Sequence, residues 1–384
     1  MLPERLHQKV ENRMKIAVIG HIRHAIAEPF MGGMESHCHQ LVTSLADRGH
    51  EVTLYSAAGS DLPQSEAICA QPYEDVLPWE DWRGTEKLAA YQNAAFERAW
   101  EAVLRGRYDV VHNNSLFPPL LDWASADGVP MVTSQHVPPF GAMRTAVCDN
   151  SHCDWQRITV TSHHQLTLWA DCNLAHFAVV HNGIDTAQWP VAEERGEQLV
   201  WFGRITPNKG VREAVEAAHL AGVQLDIVGT IEDKSYFERA VAPFLGARIR
   251  YLGHKSGRAL RECVASAAAA VVTPLWDEPF GLVAAEAMSC GVPVIAFDRG
   301  AMREVLGPCG LLVPGGDINA LAQAMSRTSE LCGKSCRARI EDRFSIERML
   351  DGYEACYAAA IEGASSTLAR SRSSSQSSTV AELA

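Results

Sequence analysis

At 384 residues the chain exceeds the ~250–300 residues at which one hydrophobic core stops growing, so two domains are expected. With 47% apolar and 21% charged residues the composition excludes wholesale disorder. No apolar run approaches the ~18–20 residues that span a bilayer, which limits any membrane contact to a peripheral one. The net charge of −12 is uneven, −9 over residues 1–190 and −3 over the remainder. That balance argues against nucleic acid or an anionic lipid surface as the main partner, because both attract basic patches.

The opening, through residue 13, is polar and carries acids within its charged stretch, unlike a secretory leader; a cytoplasmic location is expected. The eleven cysteines are scattered without framework spacing and read as reduced thiols. Lys15–Ile19 is short, β-branched and apolar, and predicts a buried strand. Glu35–Arg48 has helical spacing and stops at Gly49, and Glu51–Tyr55 predicts a second strand. This βαβ unit implies a parallel sheet. A helix over Thr85–Leu104 and strands at Val110–His112, Met131–Ser134, Thr159–Thr161 and Ala178–Val180 continue the theme. Between Val137 and Trp155 the prolines and Gly141 predict a mobile loop.

A second cycle starts at Gln198–Phe202. Helices are expected at Val211–Ala221, Ser235–Phe244 and Arg258–Ala268, with strands at Leu225–Val228, Ile249–Leu252, Val271–Thr273, Pro293–Phe297 and Leu311–Val313. A helix starts near Gly281, and two more follow at Ile318–Glu330 and Ile346–Ile361. The expected organisation is an α/β chain of two doubly wound, Rossmann-like domains, 14–190 and 191–345. A C-terminal helix, 346–364, packs back on the first, and 365–384 forms a disordered, Ser-rich tail. In such sheets ligands bind beyond the carboxyl ends of the strands, so the loops after strands, and the cleft between two such domains, are where chemistry is expected.

One such loop reads Asp277-Glu278-Pro279-Phe280-Gly281-Leu282, and its helix carries Glu286. Eight residues on a helix turn through 80° and advance ~12 Å, so Glu278 and Glu286 can reach two ends of an elongated ligand but cannot share a proton. Backbone N–H groups at Gly281 and Leu282 would bind an anion between them. A nucleotide-sugar has that layout. Acids that merely favour the helix dipole are the plainer reading of the same spacing. Another loop, Gly203-Arg204-Ile205-Thr206-Pro207-Asn208-Lys209-Gly210, brings two cations to a strand end, suited to a diphosphate. By itself it also fits an ordinary solvated turn. Paired glycines, Gly32 and Gly33, permit close backbone approach ahead of a helix.

Taken together, GRxxxxKG at 203–210, the E-x7-E segment running into EAMxxGxPV at 286–294, and the GGxE loop at 32–35 resemble the family 4 retaining glycosyltransferases of the GT-B fold. Further points of resemblance are RGHEV at 48–52, DVVH at 109–112, HNGID at 181–185 and GLLV at 310–313. The match runs from Met14 to Tyr357. It implies two domains facing each other across a cleft, and transfer of a hexosyl group from a nucleotide diphosphate sugar, a UDP-sugar first, to an acceptor hydroxyl. The acceptor class is a glycan, a lipid-linked glycan or a small molecule.

The resemblance implies that Arg204 and Lys209 hold the leaving diphosphate and Glu286 accepts from the ribose hydroxyls. Glu278 would contact the transferred sugar, and the amides of Phe280, Gly281 and Leu282 would line its pocket. Gly32 and Gly33 would approach the diphosphate or acceptor from the first domain. Relatives carry a second histidine in DVVHxH, where this chain has Asn114. His136 ranks first, and Asn114 second, as first-domain sugar contacts, with His112 structural. Base contacts are expected from Thr230–Lys234 and His254–Ser256. No cofactor or metal is expected, because the histidines and cysteines lack ligand spacing and the family uses Arg, Lys and helix dipoles instead. Two other readings remain, a sugar-nucleotide epimerase or isomerase of the same fold and a catalytically silent relative that binds nucleotide-sugars.

Overall fold

The structure, a computed structural model, describes residues 13–381, so residues 1–12 and the last three residues of the expected tail lie outside it. The chain divides into two compact units. The first takes the residues up to Val160, then Trp169–Val180, then those from Leu350 on; the second takes Thr161–Leu168 and His181–Met349.

The first unit carries β1 (Lys15–Ile19), α1 (Gly33–Asp47), β2 (Glu51–Ala57), β3 (Ser65–Cys69), α2 (Glu86–Gly106), β4 (Val110–Asn113), α3 (Pro119–Asp127), β5 (Met131–Gln135), α4 (Gly141–Asn150), β6 (Gln156–Val160) and β7 (Phe177–Val179). Its seven parallel strands are ordered β3-β2-β1-β4-β5-β6-β7, with Ile16 of β1 opposite Val52 on one side and Val110 on the other. Sequence order reverses between β1 and β4. The loops after those two strands, which hold Gly32, Gly33 and Asn114, therefore border the switch point where doubly wound sheets bind ligands.

The second unit begins in chain order with α5 (His163–Thr167), followed by β8 (Leu199–Phe202), α6 (Val211–Ala221), β9 (Leu225–Val228), α7 (Lys234–Ala240), β10 (Ile249–Tyr251), α8 (Gly257–Ala265), β11 (Ala269–Val272), α9 (Leu282–Ser289), β12 (Val294–Phe297), α10 (Met302–Leu306), β13 (Gly310–Val313), α11 (Ile318–Met325) and α12 (Gly333–Arg343). Six strands are ordered β10-β9-β8-β11-β12-β13. Both faces of this sheet are covered, as the strand sequences require. Leu199 and Trp201 enter one core cluster while Val200 and Phe202 enter the other, the period-two alternation of a strand. Here the order reverses between β8 and β11, and the loops after them are 203–210 and 273–281. The two loops singled out from their residue types are thus the two that border the switch point.

Four of the sequence expectations are corrected by the structure. The stretch expected as a mobile loop holds α4: past Pro138 and Pro139, Met143, Ala146, Val147 and Asn150 recur at helical spacing and are buried. The division expected at 190/191 falls instead between Val180 and His181, because Ile184 bridges Ser345 and its N–H bonds the Phe344 carbonyl at 2.8 Å. The final helix, α13 (Ile346–Ala381), runs through most of the tail expected to be disordered. Its buried residues Leu350, Tyr353, Tyr357, Ala360 and Ala364 keep helical spacing, and beyond Gly363 no glycine or proline stops the backbone. Finally, the thiols are not all reduced. Cys148, in the last turn of α4, is joined to Cys172, with Cα atoms 4.8 Å apart.

Candidate functional site

In the second unit the loops after β8 and β11 are bound to each other. Gly210 is left-handed, φ +68°, and a Cβ there would lie 1.9 Å from the Thr273 carbonyl oxygen, so only glycine permits this approach. The Thr273 hydroxyl donates to the Gly210 carbonyl at 2.8 Å and accepts from the Trp201 indole at 3.1 Å. The Leu275 N–H reaches the Asn208 carbonyl at 2.9 Å. This register sets Lys209 beside Glu278, with Nζ donating to Oε2 at 2.7 Å. Trp276 completes the group. Its indole N–H donates to the same oxygen at 2.9 Å, and Lys209 Nζ sits 5.0 Å from the centre of its ring. The pair is mostly buried, 24% and 12% exposed, so each charge interacts more strongly than a solvated one would.

Arg204 is placed differently. Its guanidinium meets Glu232 at 2.9 Å on a more exposed surface, so the two cations of the loop do not converge on one protein group. Beside Glu232, the Thr230 hydroxyl and His254 Nδ1 lie 3.0 Å apart, joining the two segments expected to contact a base.

The helix after the Glu278 loop is capped by Gly281, again left-handed at φ +91°, where a Cβ would collide with the end of Met302. The Ala284 N–H reaches the Gly281 carbonyl at 3.0 Å, which leaves the N–H groups of Leu282 and Val283 without a partner within the helix, and the dipole favours an anion there. Phe280 is a core residue, edge-on to Phe344, which leaves only its backbone for a ligand. The Pro279 carbonyl accepts from the hydroxyls of Ser162 and Thr161 at 2.7 and 3.0 Å, fixing the loop from behind. One turn into α9, Glu286 is half-buried and its carboxylate accepts no hydrogen bond among the described residues. Burial pushes its carboxyl up to about 7 against the weaker pull of Arg261. A carboxylate kept in that state lacks hydrogen-bond donors, and a ligand can supply them.

In the first unit, Gly32 is the N-cap of α1 and Gly33 its first residue. Asn114 follows β4 and is buried, its amide 3.4 Å from His37 Nδ1 and its carbonyl oxygen without a partner. His136 follows β5 and its Nε2 is also buried without a partner. Burial lowers the His136 pKa to about 4, so the ring is neutral at pH 7. His37 packs on it with ring centres 4.2 Å apart, and the Tyr353 hydroxyl lies 3.4 Å from His37 Nε2. His112 is fully buried between Tyr357, 2.7 Å from Nδ1, and Ser134, 2.9 Å from Nε2.

Thus the first unit gathers Asn114 and His136 round His37, and the second gathers Lys209 with Glu278. Sequence reading missed His37 and Trp276. Either was detectable as a polar or aromatic side chain next to a predicted motif, four residues past Gly33 and two before Glu278.

Residues 31–188 match the family described as Glycosyltransferase Family 4, and residues 196–330 match Glycosyl transferases group 1. A glycogen synthase of Mycobacterium tuberculosis is 27% identical, over 87% of this chain and 92% of its own. A phosphatidyl-myo-inositol mannosyltransferase of Mycobacterium leprae is 29% identical, over 77% and 83%. Among solved structures, sucrose-phosphate synthase from Thermosynechococcus elongatus superposes with TM-score 0.72 at 22% identity, covering 94% of this chain and all of that one. Anabaena HepE in complex with UDP gives 0.69 at 18%, covering 88% and 97%. Two parallel-sheet units, the loops at their switch points and these matches lead to one assignment: the chain belongs to the family 4 glycosyltransferases and has the GT-B fold.

Proposed function

We propose that this glycosyltransferase moves a hexosyl group from a nucleoside diphosphate sugar, a UDP-sugar first, to an acceptor hydroxyl, with retention of anomeric configuration and without a metal ion at the reacting centre. The observation that carries the reading is the contrast along one loop and helix. Lys209 is held on Glu278 by a 2.7 Å ion pair, while Glu286 waits half-buried without a hydrogen bond. The ribose hydroxyls of a donor satisfy Glu286. The diphosphate takes Lys209 from Glu278, and the freed Glu278 carboxylate accepts from hydroxyls of the sugar. Arg204 and the first-turn amides of α9 add positive potential where the leaving group gains charge. That HepE is described with UDP and with UDP-glucose supports a uridine donor.

In the reaction, the bond from the anomeric carbon to the diphosphate oxygen breaks and one to the acceptor oxygen forms on the same face. The acceptor proton passes to the departing diphosphate. Glu278 and Glu286 are assigned to binding, which leaves neither as a covalent nucleophile. His136, neutral at pH 7, accepts or donates a hydrogen bond to the sugar without adding charge. The test is to incubate the protein with a UDP-sugar and candidate acceptors, then read the product's anomeric configuration by NMR with and without added magnesium. A retained anomer at unchanged rate is expected. Inversion, or turnover that requires magnesium, would contradict the proposal.

A further inference from the structure

The second unit holds a cluster that the reaction above does not use. On α10, Glu304 Oε1 accepts from His181 Nε2 at 2.6 Å and from His163 Nδ1 at 2.8 Å. The backbone N–H groups of His163 and His164 reach the same carboxylate at 3.1 and 3.3 Å. Three chain segments therefore meet at one carboxylate, and the three side-chain ligand atoms lie within 4.8 Å of one another. A pocket of about 480 Å³ opens beside them, lined by His164, Asp277, Arg299 and Glu304 among others.

Two imidazole nitrogens and a carboxylate oxygen are the donor set of a borderline divalent ion such as zinc. Magnesium and calcium prefer oxygen alone. We propose that His163, His181 and Glu304 form a zinc-binding site in which the ion replaces the two ring protons now directed at the carboxylate. Each imidazole then keeps its single proton on its other nitrogen. Donors about 2.0–2.1 Å from a tetrahedral ion stand about 3.4 Å apart, so each histidine–carboxylate contact opens by roughly 0.5–0.8 Å as the rings converge. His163 can supply that movement, because its side chain is 72% exposed. Water completes the coordination on its open side.

The placement gives the ion a structural task. Thr161 and Ser162, just before His163, hold the Pro279 carbonyl, and the Ala301 N–H, just before α10, holds the Glu278 carbonyl at 2.8 Å. An ion on His163, His181 and Glu304 would cross-link the two supports of the Glu278 loop. It touches no group assigned to the donor, so it is separate from the metal-free chemistry proposed above.

Calorimetric titration of the full-length protein with zinc chloride, without reductant so that the Cys148–Cys172 bond stays closed, tests the site. His163→Ala is the informative variant, since that exposed side chain can be removed without opening the core. One equivalent of zinc is expected to bind the unmodified protein at least about tenfold more tightly than His163→Ala. Zinc should raise the melting temperature of the former alone, and magnesium should do neither. Equal zinc binding by the two proteins, no binding at all, or an equal response to magnesium would overturn the assignment.

Discussion

Glu278 and Glu286 are the same chemical group eight residues apart, yet they differ in what they touch. Glu278 is paired with Lys209 and accepts from the Trp276 indole, whereas the Glu286 carboxyl has burial and no donor. This difference has a kinetic consequence. In the proposed role, Glu286 must be ionised in the free enzyme to accept from two hydroxyls at full strength, and burial raises its pKa to about 7. The donor kcat/KM should therefore rise with pH through about 7, falling roughly tenfold per unit below it. In Glu286→Gln that limb should flatten, with kcat/KM dropping most at and above pH 7, where the unmodified carboxyl is ionised. A pH–rate profile of both proteins checks it, and an unchanged limb in the variant would assign the titration to another group. The spacing of the two carboxylates was legible in the sequence. Their opposite surroundings were not, because partners such as Lys209, 69 positions away from Glu278, are supplied by the sheet order.

At the scale of elements, strands at the sheet centres were legible and the periphery was less so. Val110–Val111 and Ile16–Ile19 are continuous β-branched or apolar runs buried on both faces, which is what a central parallel strand requires. β3 escaped detection because only its last two residues are buried and an edge strand needs no apolar run. α4 was hidden by Pro138 and Pro139, which mark where a helix cannot yet begin rather than where none follows. The partner of its Cys148 was hidden too, since spacing alone does not pair cysteines. The Cys148–Cys172 bond closes a loop of 24 residues, and the side chains of Arg144 and Asp171 also meet there. Closing such a loop stabilises the fold by about 3 kcal/mol in the chain-entropy account. Reductant should lower the melting temperature of the unmodified protein but not that of Cys148→Ser. Equal response in the two would show that this bond does not form in solution.

At the scale of the whole molecule, the loops proposed to bind the donor stand at the switch points of two sheets; the parallel, doubly wound architecture was implied by the repeated βαβ pattern, while the strand order that pairs those loops was not. What packs behind them was not implied. The first unit buries His37 and His112 and half-buries His136 against them, and desolvation lowers all three pKa values, that of His112 to about 3. Below pH 6.5 the unfolded chain takes up protons that these rings refuse, so stability is lost as pH falls from about 6.5 toward 4. A tenfold difference in proton affinity between folded and unfolded chain is worth about 1.4 kcal/mol, so the fully buried His112 alone accounts for a few kcal/mol. Denaturant midpoints at pH 7 and pH 5 should differ by more in the unmodified protein than in His112→Gln. The same difference in both would remove His112 from the acid response.

The central claim is that Lys209 and Glu286 hold the nucleotide diphosphate of a donor. Calorimetric binding of UDP at pH 8 to the unmodified protein, Lys209→Ala and Glu286→Gln tests it most directly. Each variant loses a hydrogen bond to a charged group, about 1.5–3 kcal/mol, so each should bind UDP roughly ten- to a hundredfold more weakly. UDP binding of equal affinity in all three proteins would contradict the account.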